Sequence, residues 1–317
     1  MPRMDFGGNG CASPQPTVRG WKADRSKSMA VIALCYVAAL GAGIMAFFNL
    51  DGELWWRLLV ADVAATLVIW ASTLVFDNAS IYDPYWSVQP IVIVDILLFG
   101  AGRLETGPVL LALVINIWGA RLTANWAYTF SGLDRQDWRY DIIRGKTGKL
   151  FPVASLLGIQ MMPTLIVYSC ILPAVYYVTR ESEMNLLTAA GLAISSAGIA
   201  LEAVADYQMH SFRRKSPDRA RIMRRGLWKN SRHPNYLGEI MMWWGVYVTM
   251  LSSHPDLWRL GSGALANTAL FLFISIPMAE RRMAAYKDGF KEYLEQTRPL
   301  LPIPRRPEGE ERASDRA

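Results

Sequence analysis

The sequence predicts an all-α protein, a polytopic transmembrane helical bundle of about seven or eight spans. Three observations lead there. Of 317 residues, 52% are hydrophobic and only 19% are charged, against roughly a quarter charged in an ordinary soluble domain. Twelve Trp and thirteen Tyr suit a chain whose amphipathic rings settle where bilayer meets water. Apolar runs near the ~20 residues that a spanning helix needs recur along most of its length.

The runs begin near Met29, Leu54, Trp86, Pro108, Phe151, Leu186, Leu237 and Leu257. They end near Phe48, Phe76, Gly100, Phe130, Val178, Met209, Leu251 and Met278. The third and seventh are short, so either is a candidate for a partial span, and seven is the alternative count. No small-residue cleavage site closes the first run, which therefore reads as a retained span rather than a signal peptide. Residues 1–28, rich in Gly and Pro, read as a flexible tail. Residues 29–304 read as one transmembrane domain, and the polar residues 305–317 as a disordered tail.

Net charge is +6, and its placement is informative. With eight spans and the N-terminus inside, the five inside segments hold five, none, five, nine and nine Lys and Arg. The four outside loops hold one each. This asymmetry predicts both termini in the cytoplasm and leaves no need for nucleic acid as a partner. Cys11, Cys35 and Cys170 have no paired spacing, so neither a disulfide framework nor a zinc site is predicted.

Polar groups inside apolar runs are costly and usually face a partner or a cavity. In the sixth run, LEAVADYQMHSFRR, Glu202 and Asp206 are four apart and share a face. Arg213 follows seven later. Snorkelling at a helix end accounts for Arg213, but not for two carboxylates about two turns deeper. In the fourth run, Asn116, Arg121, Asn125 and Tyr128 are polar, and the last three step by four and three. Asp83-Pro84 introduces the third run, in which Gln89 and Asp95 are candidate buried polar groups. Asp137, Arg139 and Tyr140 would either close over a ligand or pair with one another. The segment FRRKSPDRARIMRRG suits phosphate, because guanidinium makes forked hydrogen bonds; anionic headgroups are the alternative. Then comes KNSRHPNYLGE, which places Arg232, His233, Asn235, Tyr236 and Glu239 within eight residues at the mouth of an apolar helix. After the last run, Tyr286 and Tyr293 share one face of an interfacial amphipathic piece.

RRGLWKNSRHPNYLGE, ADYQMHSFRR and KEYLEQTRPLLPIP together resemble the C-terminal signature of the steroid 5-alpha-reductase family. WGARLTANWAYTF with DWRY is similar to an earlier block of its bacterial relatives of undefined substrate. The similarity runs from about Ile81 to Pro304. It implies a membrane-embedded oxidoreductase of lipid metabolism in the bacterial inner membrane. NADPH would lie among the helices, and hydride would go to the β carbon of an enone that enters from the bilayer. By this resemblance Asp206 and Asn235 would bind the nicotinamide or ribose, with Glu202 on the Asp206 face. Arg213, Arg221, Arg232 and Arg282 would neutralise phosphates. His233 and Tyr236 would flank the cofactor, near Tyr286. In the family a carboxylic acid and a tyrosine polarise the substrate carbonyl. The family's His-Tyr pair falls here on Asn125 and Trp126, so Tyr128, Glu239 and Asp83 are the candidate catalytic groups. The alternative is a membrane methyltransferase of the isoprenylcysteine or phospholipid type, using S-adenosylmethionine. There too RHP-x-Y is followed by a glutamate and an aromatic tail, places that Glu280 and Tyr293 could fill.

Overall fold

The computed structural model describes residues 20–303 apart from Pro217 and Arg219. Residues 1–19 of the expected N-terminal tail, Cys11 among them, and all of the expected 305–317 tail lie outside the described residues. Residues 20–28, assigned to the tail on sequence, are folded. Trp21 stands edge-on to Phe76, Lys22 Nζ donates to Phe76 O, and Asp24 accepts from the amides of Ser26 and Lys27 to cap the first helix.

The helices are α1 (Arg25–Phe48), α2 (Leu54–Val75), α3 (Tyr85–Ala101), α4 (Thr106–Thr129), α5 (Trp138–Thr147), α6 (Phe151–Ala154), α7 (Met162–Thr179), α8 (Leu186–Lys215), α9 (Pro234–Leu251), α10 (Gly261–Leu270), α11 (Ile276–Tyr286) and α12 (Phe290–Gln296). A π-helical stretch, Ser155–Met161, joins α6 to α7, and another, Phe271–Ser275, joins α10 to α11. Among the described residues there is no strand, only an isolated bridge between Ser231 and Arg298.

Seven helical stretches are long and apolar enough to cross a membrane, which makes this a multi-pass membrane protein. The seventh expected run, now α9, is not among them, because Asn235 and Glu239 dilute its apolarity. It nevertheless lies antiparallel along α8. Asn185 before α8 reaches Ser252 O after α9, and Trp228 before α9 reaches Ala205 O near the end of α8. Eighteen residues span about 27 Å at 1.5 Å each, close to the ~30 Å hydrocarbon layer. α8 runs six residues past its expected end at Met209. Its last turn carries Arg213, Arg214 and Lys215, cations that favour the negative end of a helix.

The α8–α9 contact depends on small residues. Gly191, Ser195 and Gly198 face Gly238, Met242, Gly245 and Thr249. A Cβ at Gly238 would lie 2.5 Å from Gly198 O and 2.8 Å from Glu202 Cβ. Ser195 Oγ donates to Met242 O at 2.9 Å. With no hydrophobic effect between helices in lipid, close backbone approach is what holds them. Around this pair the main core gathers Leu111, Ile115 and Trp118 of α4, Ile171, Ala174 and Tyr177 of α7, and Trp243 and Val246 of α9. A second cluster joins α1, α2 and the start of α3 through Ile32, Ile69, Ile81, Tyr82 and Tyr85.

Gly238→Val should lower stability by about 1–3 kcal/mol through overpacking, read as thermal unfolding in detergent. Gly41→Ala, where nothing lies within 4 Å, should be neutral or stabilising. Equal Tm values for both variants would refute the close seam.

Candidate functional site

Two polar assemblies meet the core. The first joins α4 to α8 and α9. Arg121 Nη2 lies 2.6 Å from Glu202 Oε2, and its Nη1 lies 3.0 Å from Asp206 Oδ2. Asn125 Nδ2 donates to the same Asp206 oxygen at 3.3 Å, and His210 Nε2 donates to Asn125 Oδ1 at 2.7 Å. Glu239 on α9 accepts from the indole of Trp118 at 2.7 Å and from that of Trp243 at 2.9 Å. The two indole rings are 4.8 Å apart, edge to face. Helical spacing explains the convergence, because Arg121 with Asn125 and Glu202 with Asp206 each present one face to the other helix. Three carboxylates thus share one guanidinium and two indole donors, inside an apolar bundle where an unpaired charge is expensive. The Asn235 Oδ1 atom, at the start of α9, is buried and receives no hydrogen bond.

The second assembly is built by RHPNY. Pro234 occupies the first turn of α9, where its missing N–H costs nothing. The Arg232 amide donates to Arg298 O and that of His233 to Pro299 O, each at 3.0 Å. Arg232 Nε donates to Glu280 Oε1 at 2.6 Å, and His233 Nε2 reaches the same oxygen at 3.2 Å. Arg232 Nη1 also donates to Thr297 O. The His233 and Tyr236 rings stack at 5.1 Å. Tyr293 donates to Trp228 O, and burial pushes its phenol up to about 12. These contacts clamp the chain after α12 onto the entry of α9.

The remaining expected site residues are spread out. Arg213 and Arg221 are exposed at the basic end of the bundle. Arg282 lies 4.0 Å over the Trp138 ring, and Tyr286 is exposed. Tyr128, one residue from the end of α4, contacts His210, the partner of Asn125. It is 61% exposed and stands edge-on to His210. Asp83 accepts from Tyr140 at 2.6 Å and belongs to neither assembly. Asp95 accepts from Asn116 at 2.7 Å. Asp137 caps α5 and pairs with Arg139, so the self-pairing alternative describes that loop.

Sequence reasoning missed a third group. Asp62 on α2 is buried and accepts from Tyr85 at 2.8 Å and Gln89 at 2.9 Å. Gln89 Oε1 is itself buried with no hydrogen bond. Beside it, Thr66, Thr164 and Tyr82 link hydroxyl to hydroxyl. A signal was present, since Asp62 is the one acid within an otherwise apolar helix and Tyr85 and Gln89 are four apart. α3 carries this group on one side and, through Trp86 and Ser87, meets Trp118 and Thr123 of α4 on the other.

Comparison with known proteins gives one match. Residues 69–297 match the family described as protein of unknown function, DUF1295. No curated protein and no solved structure matches the chain.

Arg121→Met strands Glu202 and Asp206 and should cost about 3–5 kcal/mol, measured by thermal or denaturant unfolding in detergent. Adding Glu202→Gln should recover part of the loss. A second change that is merely additive would show that the two side chains do not interact.

Proposed function

We propose that this chain, which belongs to the DUF1295 family, is an integral-membrane NADPH-dependent reductase acting on a lipophilic enone. In this reading it sits in a bacterial inner membrane with both termini cytoplasmic, and the substrate reaches it through the bilayer. The observation that carries the reading is the buried acid–phenol pair, Asp62 with Tyr85. Reduction of a conjugated C=C needs a donor at the carbonyl oxygen, where negative charge develops. Tyr85 is that donor: its hydrogen turns from Asp62 to the carbonyl oxygen, and a protonated Asp62 then donates to the phenol oxygen and holds it in place. This pair replaces Tyr128, Glu239 and Asp83 as the preferred proton-bearing group. Tyr128 points outward, Glu239 is filled by two indoles, and Asp83 is tied to Tyr140.

The residues present suit the cofactor. Asn235 Oδ1 is an unmet buried acceptor, and Asp206 and Asn125 are half-buried and hydrogen-bonded to each other. These would take the carboxamide or ribose. Exposed Arg213, Arg214, Lys215 and Arg221 would receive phosphates by charge-assisted hydrogen bonds, while Arg282 is engaged over the Trp138 ring. Side chains then replace a glycine-rich phosphate loop. Arg232 and His233 instead act from behind, by fixing the entry of α9 and hence Asn235. Bound NADPH would supply the hydride to the β carbon.

A membrane methyltransferase is the second reading. It is favoured by one observation: Glu280 pairs with Arg232 and His233, and Tyr293 donates to the carbonyls of Trp228 and Ser231 just before the block.

NADPH at a hundredfold its Kd should stabilise the purified protein by about 2.7 kcal/mol, and S-adenosylmethionine should not. Asp206→Asn should shrink that shift. Tyr85→Phe should keep it while lowering turnover of an enone substrate by about 10²–10⁴-fold. Stabilisation by S-adenosylmethionine alone would overturn the reductase in favour of the second reading.

A further inference from the structure

A feature outside all three groups lies where α2 ends. The helix closes with its chain reversing through Asp77. The Asn78 amide donates to Thr73 O at 3.0 Å and the Asp77 amide to Leu74 O at 3.3 Å, the paired bonds of a Schellman motif. Asp77 therefore occupies the left-handed position, φ 46°, and it is the one non-glycine residue with positive φ among the described residues. Glycine is the usual occupant there, and a side chain costs about 1–2 kcal/mol. The partner of Asp77 is Arg144, with Nη1 2.6 Å from Asp77 Oδ1.

Arg144 is an arginine with capacity left over. A guanidinium has five donors, of which Asp77 takes one. Nε is buried without a hydrogen bond, and the flat face lies 4.3 Å over the Phe151 ring. Between these groups is a cleft of about 390 Å³ lined by Thr73, Leu74, Asp77, Arg144, Lys149 and Phe151, with Gly148 and Pro152. Its charges are two cations and one acid. A neighbouring cleft of about 500 Å³ shares Asp77 and Arg144 but adds Asp134 and Asp141 against one further cation, Arg135, so an anion is directed to the smaller one. The walls of the smaller cleft are half apolar, and Val75, Leu150 and Val153 around it are 76%, 69% and 55% exposed. Exposed apolar side chains of this kind suit contact with lipid.

We infer that this cleft is a headgroup site for an anionic phospholipid. The phosphate lies between Arg144 and Lys149, Asp77 is the resident counter-ion that the phosphate displaces from Arg144, and the acyl chains run down Leu74 and Val75. Neutral headgroups lack the net charge that would compete with Asp77. The site is separate from the reductase reading and survives its failure.

The full chain in detergent, supplemented with phosphatidylglycerol, phosphatidylcholine or inorganic phosphate, provides the test. Phosphatidylglycerol should raise Tm by about 5 °C over phosphatidylcholine. Lys149→Gln, at an exposed position, should abolish the difference. Asp77→Gly should preserve folding, because it relieves the backbone, and should widen the difference by removing the competing carboxylate. Equal Tm in both lipids, a full difference in Lys149→Gln, or a lost difference in Asp77→Gly would each overturn the site. A shift from inorganic phosphate as large as that from phosphatidylglycerol would overturn the lipid as its occupant.

Discussion

A guanidinium between two carboxylates governs the middle of this molecule. Arg121 cannot sit in an apolar bundle unaccompanied, and Glu202 and Asp206 cannot either. Their mutual need fixes the rotation of α4 against α8. The glycine seam then fixes α9 against α8, so closely that Glu202 lies over Gly238. Glu239, one residue on, meets Trp118 and returns the chain of contacts to α4. Three helices are thus joined pairwise by polar or backbone contacts, and the aliphatic core fills the space this frame leaves.

Much of that frame is legible in the sequence. Hydropathy marks the spans, and four-residue steps place Glu202 with Asp206 and Arg121 with Asn125. What periodicity cannot say is which helix answers which. The step from Arg121 to Tyr128 is regular and leaves Tyr128 only about 20° off the Arg121 direction, yet it sits one residue from the end of α4, where its ring is exposed and meets His210 instead of the carboxylates. Asp62 is hidden by the opposite difficulty. A single acid in an apolar run suggests function, but its partners come from another helix more than twenty residues away. The first helix starts earlier than hydropathy suggests, since Asp24 caps it and capping is a hydrogen-bond property, invisible to an apolarity count.

The RHPNY block shows how a dense polar motif can be architectural. Its arginine and histidine are spent on Glu280 and on carbonyls of the closing segment, and its proline starts a helix. Among the motif's buried side-chain atoms, Asn235 Oδ1 is the one that receives no hydrogen bond. Spacing marks the motif as special, but only the partners divide it into groups that hold the chain and a group that is still open.

α9 has a consequence for how the protein is made. Its carboxylate and amide leave it short of the apolarity that carries a segment from the translocon into lipid unaided, since ionisable groups within a span are costly. α8 is synthesised first and offers the glycines against which α9 fits. The two must therefore enter the bilayer as a hairpin, and biogenesis of the last third of the chain waits on that pairing.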